Sequence, residues 1–246
     1  MKVAVCLSGH TRTSDKTFQS LMNYVVRPNN ADVFLHTWSV SVNGVFWKQT
    51  EDHSIENVHR DVLCERYHPK SILIEDQIDF ANPEIEACNQ KCDNKLQNIK
   101  SMWYSAKRAY QLAIEHDQYD FIVRCRPDFT FYKEWCVLMT MGHQGGPLYA
   151  SDRLYIPWQN SWSNVGVCDG FACGSPEQMK IYHEVYDHFD SIFLNLPLRT
   201  NGRDWTGVVP EEALARYLAS RGVVVARNYL PYFSICRANH DDHFLG

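Results

Sequence analysis

The residues best suited to chemistry lie together in Arg124-Cys125-Arg126-Pro127-Asp128. They follow Asp120-Phe121-Ile122-Val123, an apolar run of the kind buried on both faces of a sheet. Strand alternation would place Arg124, Arg126 and Asp128 on one face. Two guanidiniums leaving a buried strand need anions. A diphosphate answers that need, because the guanidinium fork matches phosphate oxygens. Asp128 can hold a divalent cation bridging the same phosphates. The competing reading is a salt-bridge network at the sheet end. A second candidate, Ser8-Gly9-His10-Thr11-Arg12-Thr13, follows the apolar run Val3–Leu7. Ser8, Gly9, His10 and Arg12 offer a hydroxyl, a close backbone approach, a ring nitrogen and a cation, which suits a nucleotide phosphate or ribose. A polar surface turn has the same composition. A third, His36-Thr37-Trp38, reads either as a base-stacking pair or as a satisfied histidine beside a packed tryptophan.

These groups need a scaffold that brings strand ends together. Strands are expected at 3–7, 32–36, 71–75, 120–124, 154–156, 170–173, 223–226 and 232–236. Helical spacing appears at Phe18, Leu21, Met22, Val25 and Val26, ending before Pro28, and again from Leu96 to His116. Ser175-Pro176-Glu177 and Pro210-Glu211-Glu212 open two more helices, to about Phe189 and Arg221. Residues 40–69, 76–94 and 157–168 carry no clear period. Strands alternating with helices imply a single α/β domain over 1–246, with a mixed, mostly parallel sheet flanked by helices. Ligands of such sheets bind at the carboxyl ends of the strands.

Bulk properties narrow the function classes. Across 246 residues, 45% are hydrophobic and 22% charged, which fits a packed protein rather than disorder. A net charge of −5 leaves no surplus of cations for long nucleic acid. No apolar run is long enough to cross a membrane, and no signal-peptide core is present, so a cytoplasmic protein is expected. The nine cysteines are scattered and odd in number, as for free thiols in a reducing compartment. Cys88 and Cys92 lack the second pair that a zinc site needs. Neither G-x-G-x-x-G nor G-x-x-x-x-G-K-[ST] occurs, so dinucleotide and P-loop chemistry are unsupported. Lys107 and Arg108 read as solvated helix charges.

Lys2–Thr13, Ala31–Trp38 and the Arg-x-Arg-Pro-Asp segment, in that order, resemble a group of bacterial and viral glycosyltransferase-like proteins of polysaccharide biosynthesis type. The resemblance implies the GT-A fold, a nucleoside-diphospho-sugar donor and a glycan or other hydroxyl acceptor. It implies Mn²⁺ or Mg²⁺ held by Asp128, in a slot where the family has Asp-x-Asp and this chain has Arg126-Pro127-Asp128. It also implies an acid near the sugar at Asp169, a general base at Glu211, and a last metal ligand at His240. Glu211 also has a simpler reading as a helix-dipole partner, and residues 237–246 as a polar tail. A nucleotidyltransferase, or a sugar-binding module stacking Trp158, Trp162 and Trp205 on its ligand, are the alternatives.

Overall fold

The computed structural model describes residues 1–43, 54–137, 152–157, 166–200, 206–228 and 232–236. Val3–Ser8 forms β1, buried along its whole length because neighbours cover both faces. Ser14–Leu21 forms α1, continued by a π turn over Met22–Val26 and a 3₁₀ turn over Arg27–Asn29. The α and π turns end at Val26, before Pro28 as the spacing predicts. Proline sits in the first positions of the 3₁₀ turn, where it is tolerated, and the turn ends at Asn30 in the left-handed region.

Asp32–Trp38 forms β2, which carries the strand two residues beyond its expected end at His36. The unassigned stretch that follows holds a hairpin, β3 (Val40–Asn43) and β4 (Ser54–Asn57), and then α2 (Arg60–Tyr67). Next come β5 (Ser71–Glu75), α3 (Pro83–Asn89) and the long α4 (Leu96–His116). Phe121–Cys125 is β6 and Phe129–Phe131 is β7. Arg153–Pro157 is β8 and Ala172–Gly174 is β9. Helix α5 covers Pro176–His183. It stops short of the expected end, because a 3₁₀ turn over Glu184–Tyr186 separates it from α6 (Phe189–Phe193). Arg199–Thr200 and Thr206–Gly207 pair as β10 and β11, before α7 (Pro210–Ser220), β12 (Val224–Asn228) and β13 (Phe233–Ile235).

The main sheet has the order β12-β8-β9-β6-β1-β2-β5. Every neighbouring pair is parallel except those made by β9, which runs antiparallel to both β6 and β8. The fold is therefore α/β with a mixed, mostly parallel sheet flanked by helices, as expected. Helix α4 lies across β1, β2 and β5, and α5 across β6, β8 and β9. The two helices interlock through Tyr110 stacked on His183 and Trp103 edge-on to Tyr182. Strand β7 leaves the main sheet to pair with β13, and Phe129, Phe131, Phe171 and Phe233 close this corner.

Candidate functional site

A cavity of about 530 Å³ opens at the carboxyl ends of β1, β2, β5 and β6, the edge where open α/β sheets take ligands. Ser8, Gly9, His10 and Arg12 reach it from β1, Trp38 from β2, Asp79 and Phe80 from beyond β5, and Arg126 and Asp128 from beyond β6. Asp169 joins them because β9 runs antiparallel, so the residues before β9 meet the same edge as those after β6. Asn94 and Lys95 before α4, and Asn98, Ile99, Ser101 and Met102 in its first turns, contribute to the facing wall.

The polar wall is tightly organised. Asp128 is 1% exposed. Its Oδ1 accepts from Arg126 Nε at 2.8 Å and its Oδ2 from Arg126 Nη2 at 2.6 Å, a two-pronged pair. Arg12 Nη1 lies 3.5 Å from Oδ2. Burial works against the Arg126 charge, but Asp128 outweighs it and holds the guanidinium more firmly protonated than usual. The loop carrying this pair is pinned from two sides: Thr17 Oγ1 donates to the Pro127 carbonyl at 2.5 Å, and Cys236 N donates to the Asp128 carbonyl at 2.8 Å. Gly170 gives Arg126 room, since a Cβ there would come within 3.1 Å of Arg126 Cδ and 2.5 Å of the Phe129 ring.

The turn after β1 places the other candidates. Gly9 has φ +116°, open to glycine and strained for any other residue, and its N–H donates to the His36 carbonyl at 3.3 Å. Arg12 also lies in the left-handed region, at φ 32°, held there by a bond from its N–H to Ser41 Oγ at 2.8 Å. His10 Nδ1 is 3.2 Å from the Val40 carbonyl. Burial and the Arg12 charge lower the His10 pKa to about 4, so the ring is neutral at physiological pH.

Asp169 lines the cavity, and Glu211 lies beside it at the first turn of α7. Val167 N donates to the Glu211 carbonyl at 2.9 Å, which ties the two segments together. Burial first, then the Asp169 charge, pushes the Glu211 carboxyl up to about 8, with Arg126 pulling the other way. One of two neighbouring carboxyls therefore keeps its proton at neutral pH.

Two sequence candidates do not reach the cavity. His36 is completely buried. Its Nδ1 meets Ser105 Oγ and its Nε2 meets Glu75 Oε2, both at 2.8 Å. Burial lowers the His36 pKa to about 4 against the pull of Glu75. Tyr104 and Arg108 also reach Glu75 Oε2, at 3.1 and 3.4 Å. Of the two readings of His36-Thr37-Trp38, the satisfied histidine is the one observed. Trp38, stacked on Tyr104 at 5.6 Å, still edges the cavity. Arg124 is likewise 0% exposed and bonds Ser8 Oγ at 3.0 Å instead of facing a ligand directly. Helix α4 covers the face on which both residues lie, which one sequence segment cannot reveal. Lys107 pairs with Asp187, and Arg108 reaches Glu75, so neither lines the cavity.

A divalent cation fits these residues poorly. Both Asp128 oxygens face guanidinium groups, and the described residues hold no group of three or more His, Cys, Asp or Glu side chains placed to bind a metal. Among the described residues Asp128 is the acid that holds Arg126. Cys88 and Cys92, with sulfurs 3.7 Å apart, have no partners completing a zinc set there. His240, expected as the second ligand, lies outside the described residues, as do Trp158, Trp162 and Trp205.

Sequence reasoning missed the facing wall: Gln77, Ile78, Asp79, Phe80 and the entry to α4. A signal was present. Asn82-Pro83-Glu84 repeats the helix-opening grammar of Ser175-Pro176-Glu177, and Asn82 Oδ1 caps Ile85 N at 2.8 Å as Ser175 Oγ caps Gln178 N at 3.4 Å.

No protein-family model and no curated protein matches the sequence. Among solved structures, the chain is similar to the apo form of the glycosyltransferase GlyE from Streptococcus pneumoniae TIGR4. The identity is 6% and the TM-score 0.44, over 92% of this chain and 44% of that one. This chain thus spans less than half the length of that structure. Likeness at this level transfers no activity. Among the described residues, no helix is long and apolar enough to cross a membrane.

Proposed function

We propose that the chain is a glycosyltransferase that moves a sugar from a nucleoside diphosphate donor to a hydroxyl acceptor, on a variant of the GT-A fold. One observation carries this reading: a guanidinium pair held around buried Asp128 shares one cavity edge with Asp169, beside which the Glu211 carboxyl stands. Phosphate-binding cations and a proton acceptor are what such a transfer asks of its protein.

The chemistry follows from charge. The bond between the anomeric carbon and the diphosphate oxygen breaks, and negative charge grows on the departing diphosphate. Arg12 and Arg126, fixed before the reaction, stabilise that charge without reorganising. The acceptor oxygen attacks the opposite face, its bond to the anomeric carbon forms, and its proton passes to the carboxylate pair. Asp169 is the member that lines the cavity, so it receives the proton, and Glu211 supports it from behind. The outcome is inversion. The positive charge beside the phosphates comes from the arginines rather than from a bound cation. Trp38, Phe80 and Met102 supply the apolar surface for the base or the sugar.

The test is a thermal-shift screen with UDP-, GDP- and dTDP-sugars, followed by assay of nucleoside diphosphate release with and without Mn²⁺. At least one donor should stabilise the fold and be cleaved, with little response to Mn²⁺. Neither binding nor release from any of these donors would end the transferase reading.

A further inference from the structure

Among the described residues, no acid pairs with the Arg124 guanidinium. It is 0% exposed; among the described residues its Nε and Nη2 meet no hydrogen-bond acceptor in bonding geometry, and the one hydroxyl beside it other than Ser8 is the neutral Tyr182 phenol. Its neighbours are the face of Trp103, 5.9 Å from the guanidinium carbon, the Tyr182 hydroxyl, the Cys6 and Cys125 thiols, and His183. Burial raises both thiols and the phenol far above neutrality and lowers the His183 pKa to about 3, so all of them are uncharged. An uncompensated buried guanidinium is strongly disfavoured unless an anion completes it.

One of its bonds leads out of the core. Arg124 Nη1 donates to Ser8 Oγ at 3.0 Å, and Ser8 lines the cavity. A guanidinium has donors only, so the serine oxygen must accept. The hydroxyl then has a single proton left to give. No other hydrogen bond of that hydroxyl exists among the described residues, and the space beyond it is the cavity. Register explains the placement: Cys6 pairs with Arg124, so Ser8, two residues on, shares its face.

We infer that Arg124 orients Ser8 as a hydrogen-bond donor to an anionic oxygen bound at the end of β1, and that this anion is the counter-charge Arg124 lacks. Ser8 touches the ligand, and Arg124 is a positioning residue acting through it. The inference rests on the donor reading above only in taking a phosphate as the anion. It replaces direct contact by Arg124 with a relay.

Calorimetric titration with inorganic pyrophosphate, and with UDP, GDP and dTDP, tests the relay. Ser8→Ala should fold normally and weaken pyrophosphate binding about tenfold or more, as expected for a hydrogen bond to a charged group. Arg124→Lys should weaken it similarly in the wild type but by less than about twofold once Ser8→Ala is present. Should Arg124→Lys fail to fold, Ser8→Thr decides, because it keeps the hydroxyl and should keep the affinity that Ser8→Ala loses. Equal pyrophosphate affinity in the wild type and Ser8→Ala overturns the relay alone, as does an undiminished Arg124→Lys effect in the double variant. A wild type that binds neither pyrophosphate nor any of the three nucleotides overturns the relay and the donor reading together.

Discussion

The end of β6 and the end of β2 look alike in sequence and behave oppositely in space. Each is an apolar strand carrying polar residues into a turn. At β6 the strand stops at Cys125, so Arg126 falls one residue past it, where a glycine and a pinned loop let it open onto the cavity. At β2 the strand continues to Trp38, so His36 stays inside, under α4, with both ring nitrogens taken by Ser105 and Glu75. Whether a polar residue meets a ligand or a partner thus depends on where its strand stops and on what lies over it. Arg124 and Arg126 repeat the lesson within one segment: two residues apart, one is sealed and the other is at the wall.

Substitutions can break this contrast. Arg126→Ala has the largest expected effect. Donor affinity should fall at least about a hundredfold, because a charge-assisted two-pronged contact is lost. Denaturant midpoints should also show a stability loss of about 3 kcal/mol, because Asp128 loses its closest counter-charge while buried. Adding Asp128→Ala should restore much of the stability and none of the affinity. His36→Ala should do the reverse. It should cost about 2 kcal/mol through its two orphaned partners and leave donor affinity within about twofold. An affinity loss matching that of Arg126→Ala would mean that His36 belongs to the site after all.

Glu211→Gln sharpens the account of the carboxylate pair. The folded Glu211 pKa, about 8, lies above its ordinary 4.5, so the native state holds a proton that the unfolded state releases. Its contribution is fully present below about 4.5 and is lost as pH rises through about 8. The wild type should therefore lose melting temperature relative to Glu211→Gln across that window, and the two should converge in acid. Donor affinity of the wild type should also weaken above pH 8, where a second negative charge joins Asp169, and Glu211→Gln should show no such weakening. The smallest effect belongs to Lys107→Ala. Its pair with Asp187 is partly exposed, and its loss should cost less than about 0.5 kcal/mol with no change in donor affinity.

Much of the sheet is legible in the sequence because β1, β5, β6 and α4 have long or strongly patterned apolar residues. Val3 to Leu7 and the α4 stripe of Leu96, Ile99, Trp103, Ala106, Tyr110 and Ala113 leave little choice. Helix α2 is not legible, since Leu63 and Tyr67 are its only buried residues and the rest are exposed or partly so. The antiparallel direction of β9 is invisible too, because three residues carry no sign of their direction, yet it is what brings Asp169 to the cavity. Arg126 and Asp128 could be singled out from their types and spacing. That Arg126 and Asp128 pair with each other depends on the turn after β6, and that Arg124 turns to Ser8 depends on a partner supplied by β1.

The central claim is that Arg126 binds the phosphates of a sugar donor that the cavity then cleaves. Release of nucleoside diphosphate from UDP-, GDP- and dTDP-sugars, measured in parallel for the wild type and Arg126→Ala, tests it most directly. The wild type should turn over at least one donor, and the variant should lose nearly all of that turnover. Turnover that survives Arg126→Ala at unchanged KM would contradict it.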